Sequence, residues 1–164
     1  MMIRDAIEAD WGAVIKIYNE AIPEQMATAD TEPVALENCL AWFQQHTPTR
    51  RPIWVMELEG VIAGWLSFRS FYGRTAYYPT AEISLYVSPS YRRQGVGRQL
   101  LQQALSQSPA LGLRTLVGFI FAHNQPSLRL FQQLGFTQWG YLPLVAELDG
   151  KERDLVIVGH RVSS

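Results

Sequence analysis

Hydrophobic positions along the chain repeat with two periods, and these periods predict the secondary structure. Spacings of three and four residues indicate amphipathic helices, whereas short apolar or alternating runs bounded by Gly and Pro indicate strands. The predicted helices are one that follows Asp10, with apolar positions at Trp11, Val14, Ile15 and Tyr18, and residues 34–46, 96–105 and 124–134. The predicted strands are residues 3–7, 53–58, 61–68, 81–87, 115–121, 136–147 and 153–162.

The order of these elements predicts the fold class. After two leading helices the chain continues with three strands, a helix, a strand, a helix and two strands, which indicates an α/β (α+β) sandwich with a mixed sheet. The chain has 164 residues, the length of one ordinary domain, so we expect a single domain over residues 1–164. Residues 23–33 and 69–79 are turn-rich or irregular, and long loops of this kind often form the walls of a binding site.

Composition and charge narrow the classes of partner. Hydrophobic residues make up 48% and charged residues 18% of the chain, which is normal for a folded globular protein. A formal net charge of -1 without a basic block gives no electrostatic support for a nucleic-acid or membrane partner. The first residues lack the apolar run of a secretory signal, and no apolar stretch is long enough to span a membrane. We therefore expect a cytoplasmic location.

The single cysteine and the three histidines do not indicate a nucleophile or a metal site. Cys39 cannot form an internal disulfide, and its helix-like setting beside Leu40 favours a small buried side chain. His46, His123 and His160 are spaced too widely to suggest a metal cluster, so we interpret each as structural and expect no metal.

A basic, glycine-containing turn between a strand and a helix is the most informative stretch. After Pro89 the chain reads Arg92-Arg93-Gln94-Gly95-Val96-Gly97-Arg98. The free N–H groups of the helix start form an anion site, glycines let a pyrophosphate approach the backbone, and arginines add charge-assisted hydrogen bonds. A tight turn with a solvated basic rim would show the same residues. The dinucleotide fingerprint and the P-loop are excluded, because a third glycine and a Lys-Ser/Thr pair are missing.

Glu82 lies in an otherwise apolar strand. Alternation along residues 81–87 places Glu82, Ser84 and Tyr86 on one face of the sheet. Desolvation there would raise the pKa of the Glu82 carboxyl toward the value that a general base needs. A carboxylate that faces water or pairs with an arginine such as Arg74 is an equal alternative on the residues alone.

The basic turn and a second element together resemble the GNAT acetyltransferase superfamily. Its acetyl-CoA loop reads Arg/Gln-x-x-Gly-x-Gly/Ala, as residues 92–97 do here, and its Asn-x-x-Ser/Ala helix ending in Leu-Gly-Phe is similar to residues 124–136. Within the superfamily the chain looks most like the phosphinothricin and methionine sulfoximine N-acetyltransferases. The residues that carry this likeness are 17–22, 31–33, 81–87, 114–117, 149–151 and Asp154.

The resemblance implies both fold and activity. The implied fold is a GNAT-like, mainly antiparallel seven-stranded mixed sheet flanked by about four helices. The implied reaction is transfer of acetyl from acetyl-CoA to the primary amine of a small molecule, in these families the α-amino group of an amino acid or analogue. Relatives of this type are commonly homodimers, so we expect a second copy of this chain as a partner.

Residue roles follow from the same resemblance. Glu82 matches the proposed general base, which deprotonates the ammonium so that the amine attacks the thioester directly. The donor-binding positions are the backbone of Leu85, Tyr86 and Val87, the loop of Arg92, Arg93, Gln94, Gly95, Val96, Gly97 and Arg98, and Asn124 with Ser127. N–H groups near residues 85–87 would also stabilise the oxyanion. The acceptor-binding candidates are Phe71, Arg74, Tyr77 and Tyr78. An arginine there would hold a carboxylate, or the aromatic cluster would equally form an oligomer interface.

Two positions depart from the family pattern. Many members have Tyr where this chain has Phe131, which cannot protonate a leaving thiolate, so the thiolate would leave unassisted. Asp149 stands where close relatives often have His, so no catalytic histidine is carried over. Two other functions stay open. A non-catalytic acyl-CoA sensor would need the basic turn but not Glu82, and an acetyltransferase of another class would act on a protein N-terminus or lysine.

Overall fold

The computed structural model describes residues 1–162, in which helices cover both faces of a seven-stranded sheet. The strands are β1 (Met2–Asp5), β2 (Ile53–Leu58), β3 (Val61–Ser70), β4 (Thr80–Val87), β5 (Thr115–Phe121), β6 (Thr137–Leu148) and β7 (Lys151–Arg161). The four α-helices within the described residues are α1 (Trp11–Ala21), α2 (Leu40–Gln44), α3 (Val96–Gln107) and α4 (Gln125–Gln133).

The sheet is mixed, with strand order β1-β2-β3-β4-β5-β7-β6. Every neighbouring pair is antiparallel except β4 and β5, which are parallel. The predicted fold class, a mainly antiparallel seven-stranded sheet with about four helices, is therefore confirmed.

Two apolar cores lie on opposite faces of this sheet. Alternate residues of each strand point to opposite faces, so neighbouring residues in β2 belong to different cores. Trp54 packs in a core with α3 and with Phe131 of α4. Val55 packs in a smaller core with α1 and with Phe43 of α2. The sheet thus separates the face under α1 and α2 from the face under α3 and α4.

Two-residue turns that contain glycine join β2 to β3 and β6 to β7. Glu59 and Gly60 have φ of 51° and 80°, and Asp149 and Gly150 have φ of 55° and 77°. Paired positive φ values match the right-handed twist of the flanking strands, which explains why these two-residue turns join β2 to β3 and β6 to β7.

The predicted helix over residues 34–46 is wrong. The chain forms a single 3-10 turn at Leu36–Asn38 and then only the short helix α2. The side chain of Asn19 binds both the N–H and the carbonyl of Val34 at 2.9 Å, and Ala35 is extended. Cys39 then adopts φ of -107° and ψ of 0°, which is not helical and separates the two turns.

The predicted first strand over residues 3–7 also ends early. β1 stops at Asp5, and the Asp10 carboxylate accepts a hydrogen bond from the N–H of Ile7 at 2.9 Å. This contact fixes the 3-10 turn Glu8–Asp10 that leads into α1. Within residues 1–162 no helix combines the length and the hydrophobicity that crossing a membrane requires.

Candidate active site

The two parallel strands in the middle of the sheet separate from one another. β4 and β5 are paired only from Thr80 opposite Thr115 to Glu82 opposite Val117. Beyond this point residues 83–87 of β4 and 118–121 of β5 have no partner across the gap, although each strand stays paired on its other side. We call this opening the fork. It leaves one backbone edge of β4 free to form strand-like hydrogen bonds with a ligand.

Glu82 is the last paired residue of β4 and therefore lies at the base of the fork. Its neighbours Ala81 and Ile83 are buried in the core under α3, so alternation directs Glu82 to the face under α1. Burial raises the pKa of the Glu82 carboxyl, and the charge of Arg69 partly opposes this shift. Arg69 is its cross-strand partner on β3.

The alternative in which Glu82 pairs with an arginine such as Arg74 is not observed among the described residues. Among residues 1–162, the ion pairs involve Arg4 and Arg92, and Glu82 takes part in neither. Arg74 lies instead in the exposed loop between β3 and β4, where it precedes the 3-10 turn Thr75–Tyr77. A half-buried carboxylate with a raised pKa and no bonded cation is suited to accept a proton.

The start of α3 lies beside the free edge of β4. Gly95 is the N-cap residue, with φ of 82°, a conformation that favours glycine. In the described part of the chain, the N–H groups of residues 92–98 make no hydrogen bond, and the first helical bond runs from Gln99 to the Gly95 carbonyl at 3.0 Å. Unpaired N–H groups at a helix start are suited to bind an anion, and the anion site expected here from the sequence stays a prediction.

Of two glycines near α3 and β4, only Gly64 is required by close packing. A Cβ atom on Gly97 would lie 3.4 Å from Leu130 and 3.5 Å from Leu85, which is ordinary contact. A Cβ atom on Gly64, in β3, would lie only 2.9 Å from the Tyr86 carbonyl and 2.9 Å from the Val96 side chain. Gly64 therefore permits the approach of the helix start to the strand. Sequence reasoning missed it, because a glycine within a strand is only a weak sign of close packing.

The three arginines of the basic turn differ in their contacts. Arg93 has a positive φ of 63° and is exposed, with no partner among the described residues. Arg98 hydrogen-bonds the Gln133 side chain of α4. Arg92 forms a bidentate ion pair with Glu24, with N–O distances of 2.5 and 2.6 Å. Only Arg93 thus presents an uncommitted guanidinium to an anion at this helix start.

Asn124 has contacts that the motif alone does not reveal. Its side-chain oxygen accepts the N–H of Ser127 at 3.3 Å, which caps α4. Its amide nitrogen donates to the carbonyl of Met26 at 3.0 Å. Asn124 is buried, with only 6% of its surface exposed. It therefore joins the end of β5 to the loop after α1, with one amide N–H left for a ligand.

The loop after α1 lies across the fork. Three consecutive backbone carbonyls of this loop accept hydrogen bonds from side chains on both sides of it. Gln25 accepts from the His123 Nε2 at 2.7 Å, Met26 from Asn124, and Ala27 from the Tyr86 hydroxyl at 3.2 Å. Because a carbonyl only accepts, His123 carries its proton on Nε2. Burial raises the pKa of Tyr86 to about 12, so its hydroxyl stays protonated and can donate.

The acceptor candidates all lie in the exposed loop between β3 and β4. Phe71 packs edge-on against Tyr77 at a ring distance of 5.6 Å, and Tyr78 lies under the guanidinium of Arg50 at 4.5 Å. Tyr77 and Tyr78 are 44% and 43% exposed. Phe71 and Tyr77 thus pack together with Tyr72, whereas Tyr78 packs against Arg50, and all four candidates precede β4 and Glu82 in the chain.

Phe131 lies beside the fork, where its ring packs against Gly118 of β5, and the remaining histidines bond backbone carbonyls. Phe131 is 4% exposed and packs against Phe136, so this position offers no acidic group to a leaving thiolate. His46 bonds the Trp42 carbonyl and His160 the Gly135 carbonyl. Burial lowers the pKa of His46. Over residues 1–162 no cluster of three metal-ligating side chains occurs.

Comparison with known proteins establishes the family. Residues 13–136 match the family described as "Acetyltransferase (GNAT) family". YwnH of Bacillus subtilis (strain 168), which carries the provisional name phosphinothricin acetyltransferase, is 51% identical over 164 residues, covering 99% of this chain and 100% of YwnH. The L-methionine sulfoximine/L-methionine sulfone acetyltransferase of Salmonella typhimurium (strain LT2) is 33% identical over 158 residues, covering 96% of this chain and 92% of that enzyme.

A solved structure has the same fold as this chain and contains acetyl-CoA. The GNAT superfamily phosphinothricin acetyltransferase (Pat) from Sinorhizobium meliloti, determined in complex with acetyl-CoA, superposes with a TM-score of 0.92 at 28% identity. The match covers 99% of this chain and 88% of that one. The predicted resemblance and the predicted donor, acetyl-CoA, are confirmed. The chain belongs to the GNAT family and is an acetyl-CoA-dependent N-acetyltransferase.

Proposed function

We propose that the protein acetylates the primary amine of a small molecule, namely the α-amino group of an amino acid or analogue of the phosphinothricin and methionine sulfoximine type. The single observation that carries this proposal is the position of Glu82, a half-buried carboxylate of raised pKa at the base of the fork. The names of the relatives support the class of acceptor.

The residues of the fork fit acetyl-CoA. The unpaired N–H groups of residues 92–98 and the left-handed Gly95 suit a diphosphate, and Arg93 adds an uncommitted charge. The free edge of Leu85, Tyr86 and Val87 suits the amide groups of a pantetheine arm, with Asn124 and Ser127 at the other side of the fork. When bound there, acetyl-CoA supplies an acetyl group activated as a thioester.

Glu82 would act as the general base. An α-ammonium is mostly protonated near neutral pH and cannot attack a carbonyl carbon until it loses a proton. The raised pKa of Glu82 makes its carboxylate a stronger proton acceptor, and the charge of Arg69 partly opposes this shift. Proton transfer to Glu82, directly or through one water, leaves a neutral amine for direct attack, and the N–H groups of residues 85–87 would donate to the acetyl oxygen.

The loop between β3 and β4 would bind the acceptor. Arg74 makes no ion pair among the described residues, so its guanidinium is available for an acceptor carboxylate. Phe71, Tyr77 and Tyr78 would enclose the rest of the molecule. Since Phe131 is apolar and buried, the thiolate of coenzyme A would leave without a protein acid, as a thiol of pKa ~8.5 permits.

The test is thiol release from acetyl-CoA across a panel of amino acids, methionine sulfoximine, phosphinothricin and peptides with a free N-terminus or lysine. We expect turnover with free amino acids or their analogues and little with peptides. Preference for a peptide would favour the protein-acetylating alternative. Coenzyme A binding without turnover on any amine would favour the sensor alternative.

A matched pair of variants tests the base. Glu82→Gln should lower turnover by about 10²- to 10⁴-fold and change coenzyme A affinity little. Glu147→Gln, which removes an exposed carboxylate from β6, is the control and should behave as the wild type. Equal turnover in Glu82→Gln and Glu147→Gln would refute the assignment.

We also propose a homodimer, built on exposed apolar side chains of the edge strand β6. Five apolar side chains there are 40% or more exposed: Trp139, Tyr141, Leu142, Leu144 and Val145. Sedimentation equilibrium of the wild type and of Leu144→Glu tests this. A monomeric wild type at micromolar concentration would contradict it.

The cytoplasmic location expected from the sequence stays a prediction.

A further inference from the structure

Segment 24–27, in the loop after α1, is fixed at both sides of the fork. The carbonyl of Ala27 binds Tyr86 on β4, while the carbonyls of Gln25 and Met26 bind His123 and Asn124 just after β5. The segment therefore spans the gap on the side that Glu82 faces. Its position sets the space that an acceptor can occupy next to the Glu82 carboxylate.

A charged contact joins the same segment to the basic turn. Both terminal nitrogens of Arg92 bond the two carboxylate oxygens of Glu24. Arg92 holds the pKa of Glu24 below its usual range, and Glu24 raises the pKa of Arg92, so both groups stay charged at neutral pH. A bidentate pair fixes the direction as well as the distance of the two side chains.

This contact conflicts with the role that the motif suggests for Arg92. A guanidinium that donates one N–H from each terminal nitrogen to Glu24 has its charge and its orientation committed to that carboxylate, so its three remaining N–H groups point only where Glu24 holds them. A carboxylate near the helix start would also repel a diphosphate unless a cation neutralised it. The neighbouring Arg93 and the free N–H groups of residues 92–98 remain for the anion.

We propose that Arg92 is a positioning residue for the acceptor side of the site: through Glu24 it holds segment 24–27 across the fork, and it is not a ligand of the donor's diphosphate. Arg92 thereby couples the basic turn to the loop that limits the acceptor. The pair is partly exposed, with side chains 44% and 40% accessible. Its loss should therefore change the affected quantities by roughly threefold to fivefold.

The experiment compares Glu24→Gln, Arg92→Gln and the exchanged double variant Glu24→Arg with Arg92→Glu. The rate of hydrogen exchange over residues 22–30 in the free protein measures how firmly segment 24–27 is held. Calorimetry with coenzyme A measures the affinity of the donor site. Neither readout needs an acceptor, so both are independent of the proposed function. Glu20→Gln is the matched control, since Glu20 acts on Arg92 through space without bonding it.

We expect both single variants to exchange faster over residues 22–30, by roughly threefold to fivefold, and to bind coenzyme A within about twofold of the wild type. The exchanged double variant should restore the slow exchange, and Glu20→Gln should match the wild type. With an active acceptor, KM for the acceptor should rise while KM for acetyl-CoA stays nearly constant. Tenfold weaker coenzyme A binding in Arg92→Gln but not in Glu24→Gln, with unchanged exchange, would overturn the proposal.

Discussion

Replacing Gly64 by alanine adds one methyl group behind the donor site. Gly64 lies in β3 opposite Val87, and both atoms that an added Cβ would meet belong to donor-binding elements. One is the carbonyl oxygen of Tyr86, in β4, and the other is Cγ1 of Val96, the first residue of α3. The perturbation therefore acts on the relative position of the strand and the helix start without removing a polar group.

The size of the effect follows from the distances. Both contacts would be 2.9 Å, and ordinary contact begins at 3.4 Å, so the elements must separate by about 0.5 Å. Overpacking of this kind costs about 1–3 kcal/mol, which lowers the Tm of a domain of this size by about 2–12 °C. A shift of this size would lengthen hydrogen bonds from β4 and from the start of α3 to the donor, and the loss of one such bond, worth about 1 kcal/mol, should weaken coenzyme A binding roughly fivefold.

Thermal unfolding and calorimetric titration with coenzyme A measure both effects on the same samples. Two glycine variants serve as controls. Gly140→Ala, in the edge strand β6, meets only the side chain of Ile157 at 3.3 Å, and Gly12→Ala meets no atom within 4 Å. We expect neither to weaken coenzyme A binding. If Gly64→Ala lowered the Tm but bound coenzyme A as tightly as Gly140→Ala does, the role of Gly64 at the donor site would be refuted.

Three further predictions concern Glu82, Asn124 and Gly159. Burial raises the pKa of Glu82 in the folded state. Ionisation of Glu82 therefore destabilises the folded protein as the pH rises through that pKa. The Tm of Glu82→Gln relative to wild type should therefore increase between pH 4.5 and 8, and a constant difference would contradict this. Asn124→Ala removes the α4 cap and should lower the free energy of unfolding by about 1 kcal/mol in urea titrations. An alanine Cβ at Gly159 would lie 2.1 Å from the Trp139 ring; displacing that ring should cost about 1–3 kcal/mol, and unchanged urea stability would count against this packing.

Much of the fold was predictable because its signals are local. The turns at Glu59-Gly60 and Asp149-Gly150 each need two residues with positive φ, and short Gly-containing sequences indicate such turns. β5 was predicted with its observed bounds, because its apolar run is continuous over Thr115–Phe121. The helix expected over residues 34–46 failed for a non-local reason, since Asn19, fifteen residues earlier, holds the backbone of Val34.

The site was predictable in its motifs but not in its connections. Sequence spacing predicts that Glu82 lies in a strand and that the glycines of the basic turn lie at a helix start. The structure has Glu82 in β4 and Gly95 at the start of α3. The ion pair of Glu24 with Arg92 joins residues 68 positions apart, and no short pattern indicates it. A motif that contains an arginine suggests a phosphate contact, but only the folded chain shows that a carboxylate already occupies both terminal nitrogens.

The most direct test of the account is a crystal structure of the protein with coenzyme A and an unreactive acceptor analogue. The account predicts that the sulfur lies in the fork between β4 and β5 and that the diphosphate accepts N–H groups of residues 92–98. The acceptor nitrogen should lie within about 2.6–3.2 Å of the Glu82 carboxylate or one water away from it. A sulfur outside the fork, or an acceptor nitrogen with no direct or single-water contact to Glu82, would contradict the account.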